Sequence, residues 1–421
     1  MIAPVRTKSA HNPLRRSFRP SDLYKVRQLV TDSGEHFPLL VAADTGLPIV
    51  RPNWYVLVAR RDRCQASTLA KEQGILCIIL AWAHHAKVDL HELLDSGKAP
   101  DQAQLSGLID TLRSDFGALS RAATTSIIRP LVAAHTWAHR IVVAREYFAW
   151  NLERAMRASE PGSARYQHIF AAHRSLSIRM TQMLPRTHST ANRKGLDEDQ
   201  RCRLLAVVSA TSIENPFHKS VRHRNALIIQ ILLMLGLRRG ELLKLRTSDI
   251  RAGIRPVLTV ERRPDDPQDP RKHQPQVKTR GRQMPLDDAL ARHISKYIIE
   301  ERSQVPNARK TPFLFLARSG KPLSLRGLDN VFAQIIHCNP AFNGVLTAHV
   351  LRHTANDLLS ASLEVSDPTA DGGKSIRNYL MGWEPESDQG LQYSRAHIER
   401  IAQEVSLQHQ RRILTEDDVK S

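Results

Sequence analysis

LGLRRGELLKLRTSDI, residues 235–250, is the stretch on which the reading of this chain turns. The run Ala226–Leu237 before it is apolar except at Gln230, as a buried helix would be. Gly236 marks its end, because glycine readily takes the left-handed conformation that closes a helix. A second helix is expected from about Gly240, with Leu242, Leu243 and Leu245 giving it an apolar side. Arg238 therefore stands in a junction held by backbone on both sides. Its planar fork of N–H donors can grip two oxygens of a phosphate there. A surface arginine beside a helix terminus would read the same way, so the surrounding segments must decide between the two.

Downstream, VLTVERR (257–263) and PQVKTRGRQMPL (275–286) read as the strands of a hairpin. The connector PDDPQDPRKHQ (264–274) holds three prolines and cannot be regular strand. Lys278 falls on the second strand just before a turn at Arg280-Gly281, where a mobile ammonium can act as cation and proton donor. Lys272 is its local rival. In LTAHVLRHTAND (346–357), His349 and Arg352 are three apart and share a helix face. His349 can move protons near neutral pH. His353 lies one turn from His349, a spacing that also suits zinc, although no Glu directly follows His349 as it does in zinc proteases. In YLMGWEPESDQGLQYSRAH (379–397), Trp383 follows Gly382, and Tyr393 comes ten residues later in a polar stretch. Tyr379 precedes the Gly-Trp pair within an expected helix and reads as a core residue.

Upstream, PRTHSTANRKG (185–195) is polar, basic and turn-rich, as a linker would be, and Asp197 with Gln200 makes a helix start after it. Residues 51–182 read as helical. One helix runs from an N-cap at Ser67 to about His85, with Leu69, Leu76, Ile79, Leu80 and Ala83 on one face. Others are expected over 102–115, over 122–158 with an interruption at Pro130, and over 164–182. Residues 38–50, PLLVAADTGLPIV, suggest two short strands around Asp44-Thr45-Gly46. No repeat of fixed period is present. The resulting division is a basic N-terminal arm (1–50), a helical block (51–182), a linker (183–195), a second domain of helices with short strands (196–410) and a tail (411–421). The expected fold class is mainly α with a small β-sheet.

Composition sets the partner class. The chain has 421 residues, 41% hydrophobic, with a net charge of +19 and a pI near 10.2. That length suits two or three cores, and that surplus favours a polyanion. Nucleic acid and anionic membrane both qualify, but the longest apolar run falls short of the roughly 18–20 residues a span requires. The basic N-terminus has no apolar stretch of the secretory kind. Four scattered cysteines without a CxxC pair suit a reducing cytoplasm. There is no GxxxxGK[ST] loop and no carboxylate cluster suited to two-metal chemistry.

In order, GLRRGEL, a hairpin KT, HVLRH, and GW followed by Tyr resemble the catalytic domain of the tyrosine recombinase (phage integrase) family. The resemblance covers about residues 196–410. It implies that the helical block 51–182 is a core-binding, DNA-binding domain. It implies that Arg238 and Arg352 clamp the scissile phosphate and that His349 assists proton transfer at the attacking hydroxyl. Lys278 would protonate the departing 5′-hydroxyl, Trp383 would hydrogen-bond the phosphate, and Tyr393 would form a 3′-phosphotyrosine link. Glu241 would orient its neighbours. The spacing from Trp383 to Tyr393 is one residue longer than is usual in the family. No cofactor is implied. The partner would be double-stranded DNA with a specific site, bound by a homo-oligomer that is a dimer on one site and a tetramer in synapsis. The setting would be cytoplasmic and nucleoid-associated. Candidate phosphate contacts are Arg222, His223 and Arg224 before the buried helix, Arg280 and Arg282 in the hairpin, and Arg326 near a helix start. Residues 397–414 suggest an amphipathic helix through Ile398, Ile401 and Val405, docked on a neighbouring protomer or on its own domain. A DNA-binding relative without catalysis, a type IB topoisomerase-like enzyme and a helical scaffold are the alternatives.

Overall fold

The computed structural model describes residues 19–32, 34–121, 130–186, 194–366, 370–384 and 387. The chain divides into two compact units, Met1–Ser189 and Thr190–Ser421, and the main cores of the two share no residue. Tyr393, the segment 397–414 and residues 1–18 of the basic arm lie outside the described residues. The class is mainly α with small antiparallel sheets.

In the first unit, β1 (Tyr24–Val30) and β2 (His36–Ala42) pair antiparallel from Tyr24↔Ala42 to Val30↔His36. The Asp44-Thr45-Gly46 turn exists, with Gly46 at φ +73°, and it pairs the end of β2 with the chain beyond it through one antiparallel bridge, Val41↔Pro48, rather than with a full second strand. It leads into a short helix at Val50–Tyr55, and the partner of 36–42 lies before it in the chain. Residues 24–42 therefore belong to the first unit's core, where Phe37 and Leu40 are buried. At the centre is α1 (Ala66–His85), buried at every residue from Ile75 to Ala83. It is wrapped by β2 and by α2 (Gln102–Arg113) and α3 (Ala134–Arg157), so the single apolar face expected from sequence understates its burial. α3 starts at Ala134, after the interruption expected at Pro130, and residues 122–129 of the expected helix lie outside the described residues. α4 (Ala164–Gln182) packs along α3.

The second unit is built on α6 (Arg222–Leu235), after α5 (Glu198–Val208), whose N-cap Asp197 and Gln200 form the expected reciprocal cap. Buried residues Ala226–Ile229 and Ile231–Leu233 make α6 the spine of the core. Gly236 closes it at φ +60°, and α7 (Arg239–Lys244) begins directly after Arg238. β3 (Ile250–Arg251), β4 (Val257–Val260) and β5 (Arg282–Pro285) form a sheet in that order, Val257 facing Pro285 and Val260 facing Arg282. Then come α8 (Asp288–Lys296), α9 (Leu325–Cys338), α10 (Ala348–Ser366) and α11 (Ala370–Met381).

The hairpin strands are shorter than expected, and Lys278 precedes β5 rather than lying on it. The reason lies in the connector. Gln274 donates to the carbonyls of Asp266 (2.8 Å) and Asp269 (3.2 Å) and accepts from Asp266 N (3.1 Å) and Lys244 Nζ (2.9 Å). Buried side chains thus satisfy backbone groups that a ladder would otherwise use.

Candidate active site

The site begins with two helix ends. α6 stops at Gly236, and Leu237 is fully buried, which leaves Arg238 as N-cap of α7 with its side chain 27% exposed. The backbone N–H of Arg238 donates to Glu241 Oε2 at 2.9 Å. α10 supplies His349 in its first turn and Arg352 one turn on. Arg352 is 1% exposed. Its Nη1 donates to the Gly236 carbonyl at 2.5 Å and its Nη2 to the Met381 carbonyl at 2.8 Å, so it ties the end of α6 to the end of α11. Arg238, His349 and Arg352 line one cavity of about 620 Å³, whose far wall is Phe332, Ile336 and Leu346. Two guanidiniums and an imidazole from distant parts of the chain thus line one cavity.

α11 ends in a paired turn. Gly382, at φ +66°, donates to the Tyr379 carbonyl at 2.9 Å, and Trp383 N donates to the Asn378 carbonyl at 2.8 Å. This turn sets Trp383, 5% exposed, in a small cluster with Ala355, Leu359 and Met381. The Arg352 guanidinium lies 5.5 Å from its ring centre. Trp383 backs Arg352 and is not among the residues lining the cavity.

Glu241 joins these pieces. It is 1% exposed; it accepts from Arg282 Nη2 at 3.1 Å and from the Thr279 hydroxyl. Burial alone would push its carboxyl up, but the guanidiniums of Arg282 and Arg352, with the two hydrogen bonds, outweigh that and hold it below the usual range. Arg282 also donates from Nε to the Leu380 carbonyl at 2.7 Å. The segment before β5 lies on α7: a Cβ on Gly240 would stand 2.1 Å from the Gln276 carbonyl oxygen. Lys278 is exposed and sits between two residues, Gln276 and Thr279, that rest on α7. Lys272 follows Arg271, which donates to the carbonyls of Leu243 (3.1 Å) and Leu323 (2.7 Å).

The structure separates the expected phosphate contacts into two groups. Arg280 and Arg326 are exposed. Arg222 donates to the Phe217 carbonyl at 3.1 Å, and Arg224 to the Leu316 carbonyl at 2.7 Å and the Asn225 side chain. The Arg282 side chain is 1% exposed. Those three arginines are engaged inside the unit, because the carbonyls and carboxylate around them need donors. His223 lies 3.3 Å from Glu301.

Tyr379, expected in the core, is 55% exposed. Its hydroxyl lies 3.4 Å from the Gln283 carbonyl, and it does not line the cavity. Among the described residues no group of three or more His, Cys, Asp or Glu could hold a metal ion. His353 packs edge-on against His349 with ring centres 4.6 Å apart. No described helix is long and apolar enough to cross a membrane.

Sequence reading missed Thr279 and Arg282 as partners of Glu241. A signal existed: Arg282, Met284 and Leu286 alternate, which places Arg282 on the side of the sheet that is buried. The Lys244–Asp269 pair (3.1 Å) that anchors the connector left no such trace.

Residues 194–366 match the model described as the phage integrase family. No curated protein sequence matches the chain. Among solved structures, it is similar to the XerH site-specific recombinase bound to a palindromic difH substrate in a post-cleavage complex. The identity is 14% and the TM-score 0.42, over 81% of this chain and 87% of that one. It is also similar to the Tn1549 transposon integrase in complex with a circular-intermediate DNA, at 17% identity and TM-score 0.40, over 74% of this chain and 98% of that one.

Proposed function

We propose, from the premise that residues 194–366 belong to the phage integrase family, that this protein is a site-specific DNA recombinase that cuts and rejoins strands through a 3′-phosphotyrosine. The observation that carries the reading is the meeting of Arg238, His349 and Arg352 in one cavity. A phosphodiester under attack gains charge on its equatorial oxygens, and two guanidiniums fixed in advance stabilise it. The Arg352 guanidinium is fixed by the carbonyls of Gly236 and Met381; the backbone of Arg238 is fixed by its place as a helix cap, and its Nη1 lies 3.7 Å from Glu241 Oε1.

In this reading the Tyr393 hydroxyl attacks phosphorus, and His349 helps to take its proton. The bond from phosphorus to O5′ breaks, and the leaving oxygen receives a proton from the Lys278 ammonium. Trp383 backs Arg352 and so helps to hold that guanidinium for the phosphate. Rejoining is the reverse, with the 5′-hydroxyl as nucleophile. The bond energy is conserved in the phosphotyrosine, so rejoining needs no ATP, and in this reading the two guanidiniums carry the charge stabilisation that a metal ion would otherwise supply. Arg280 and Arg326 contact backbone phosphates, and affinity falls steeply with salt. The working form is a homo-oligomer, a dimer on one site and a tetramer in synapsis, linked through residues 397–414. Removal of residues 398–421 is expected to abolish synapsis while leaving binding to one site; unchanged synapsis would end that part of the reading.

A nicked suicide duplex carrying the recombination site tests the chemistry. The wild-type chain should become covalently joined to DNA, and Tyr393→Phe should bind without joining. An adduct formed by Tyr393→Phe would assign the nucleophile elsewhere. Arg238→Ala should retain binding and lose cleavage by roughly the factor of 10²–10³ expected for one preorganised donor.

A further inference from the structure

We infer that Thr279 is a positioning residue for the leaving-group proton: its hydroxyl, bonded to buried Glu241, sets where Lys278 stands over α7. This rests on the proposed role of Lys278 as the acid. Lys278 is exposed and lies before the regular strand, so no ladder fixes its backbone. Its neighbours do. On one side the Gln276 carbonyl touches Gly240 so closely that a Cβ there would be 2.1 Å away. On the other, Thr279 is buried and donates to Glu241 Oε1, while Arg280 N donates to the Gly382 carbonyl at 3.2 Å.

Glu241 is a demanding anchor. Its other oxygen accepts from Arg238 N and Arg282 Nη2, and Arg282 also reaches the Thr279 hydroxyl at 3.4 Å. The same carboxylate therefore holds the backbone of the phosphate-clamping Arg238 and the residue next to Lys278. An acid must lie within hydrogen-bond reach of the oxygen it protonates, so one anchor shared by clamp and acid keeps their separation constant.

The test exploits the leaving atom. With oxygen at the bridging 5′ position, breaking the P–O bond requires a proton from Lys278. With sulfur there, the P–S bond breaks to give a thiolate, whose conjugate thiol has a pKa of about 8.5 and needs no acid. DNA captured covalently by the wild-type protein is sequenced, and the site is rebuilt as a nicked duplex in both versions. Lys278→Ala should cleave the oxygen duplex about 10²–10⁴-fold more slowly and recover on sulfur. Thr279→Val, which keeps the shape and removes the hydroxyl, should lose about 10–10²-fold on oxygen and recover to within about threefold of wild type on sulfur. Thr279→Ser should behave as wild type on both.

Equal slowing of Thr279→Val on both duplexes, or no slowing on oxygen, overturns the inference while leaving the Lys278 reading intact. Lys278→Ala without recovery on sulfur overturns the Lys278 reading and this inference with it. If Thr279→Val does not fold, Thr279→Ala, which also removes the hydroxyl, carries the same comparison, and its failure to recover on sulfur overturns the inference.

Discussion

Glu241 is a charged group with almost no access to water, and its neighbours explain how it stays charged. Arg282 and Arg352 lower its pKa against the opposing effect of burial. Removing one partner of such a pair strands the other, so Arg282→Ala should destabilise the second unit by about 3–5 kcal/mol in denaturant titration. The pH dependence follows from the sign. The folded-state pKa lies below the ordinary carboxylate range, so the stabilisation is complete above that range and is lost as pH falls through the folded pKa. Wild type should therefore lose melting temperature on acidification faster than Glu241→Gln, and parallel curves would show that the carboxylate is not held down. Tyr379→Phe should leave cleavage unchanged, since the hydroxyl faces Gln283 and not the cavity. At this scale the sequence was informative where local chemistry and position coincide. Arg238 after a glycine stop, and His349 and Arg352 three apart on a helix, were readable before any coordinates. Arg282 was taken for a DNA contact because a basic hairpin residue gives no local sign of a carboxylate from another box. Tyr379 was taken for core because helix phase alone does not say which faces are covered.

Elements were legible where their ends carry their own signals. The Asp197–Gln200 cap and the glycine stop at 236 appear as read. The hairpin was legible in existence but not in extent, because the side chain of Gln274, itself held by Lys244, competes with the ladder for backbone groups. The pairing of β2 with β1 was missed because β1, YKVRQLV, is only half buried and shows its alternation weakly. Gly240 makes the element argument testable. In an isolated helix Ala would be favoured over Gly by about 1 kcal/mol. Here the added carbon would lie 2.1 Å from the Gln276 carbonyl oxygen, an overlap that backbone must move to relieve. Gly240→Ala should thus displace the Lys278 segment and slow cleavage by about 10²-fold, the scale of a misplacement near 1 Å, with DNA affinity little changed. Cleavage at the wild-type rate would mean that the Gln276 contact does not set the segment.

For the whole molecule, charge and division into units are separate facts with separate consequences. The surplus of +19 belongs to the full chain, whereas each unit is organised around its own core. Residues 190–421, expressed alone, should therefore unfold in one cooperative transition, because the core built on α6 draws on no residue before Leu196. DNA binding should not survive truncation so well. Each phosphate neutralised contributes about 0.9 to the slope of log K against log salt, so losing the first unit's basic residues should make the slope shallower. Fluorescence anisotropy over a salt series, on both proteins and the same duplex, reads this directly. Equal slopes would mean that the first unit makes no phosphate contacts and that the helical block is not a DNA-binding domain. A shallower slope with cleavage still absent in Arg238→Ala would separate the two tasks: phosphate affinity spread over both units, and chemistry confined to the cavity of the second.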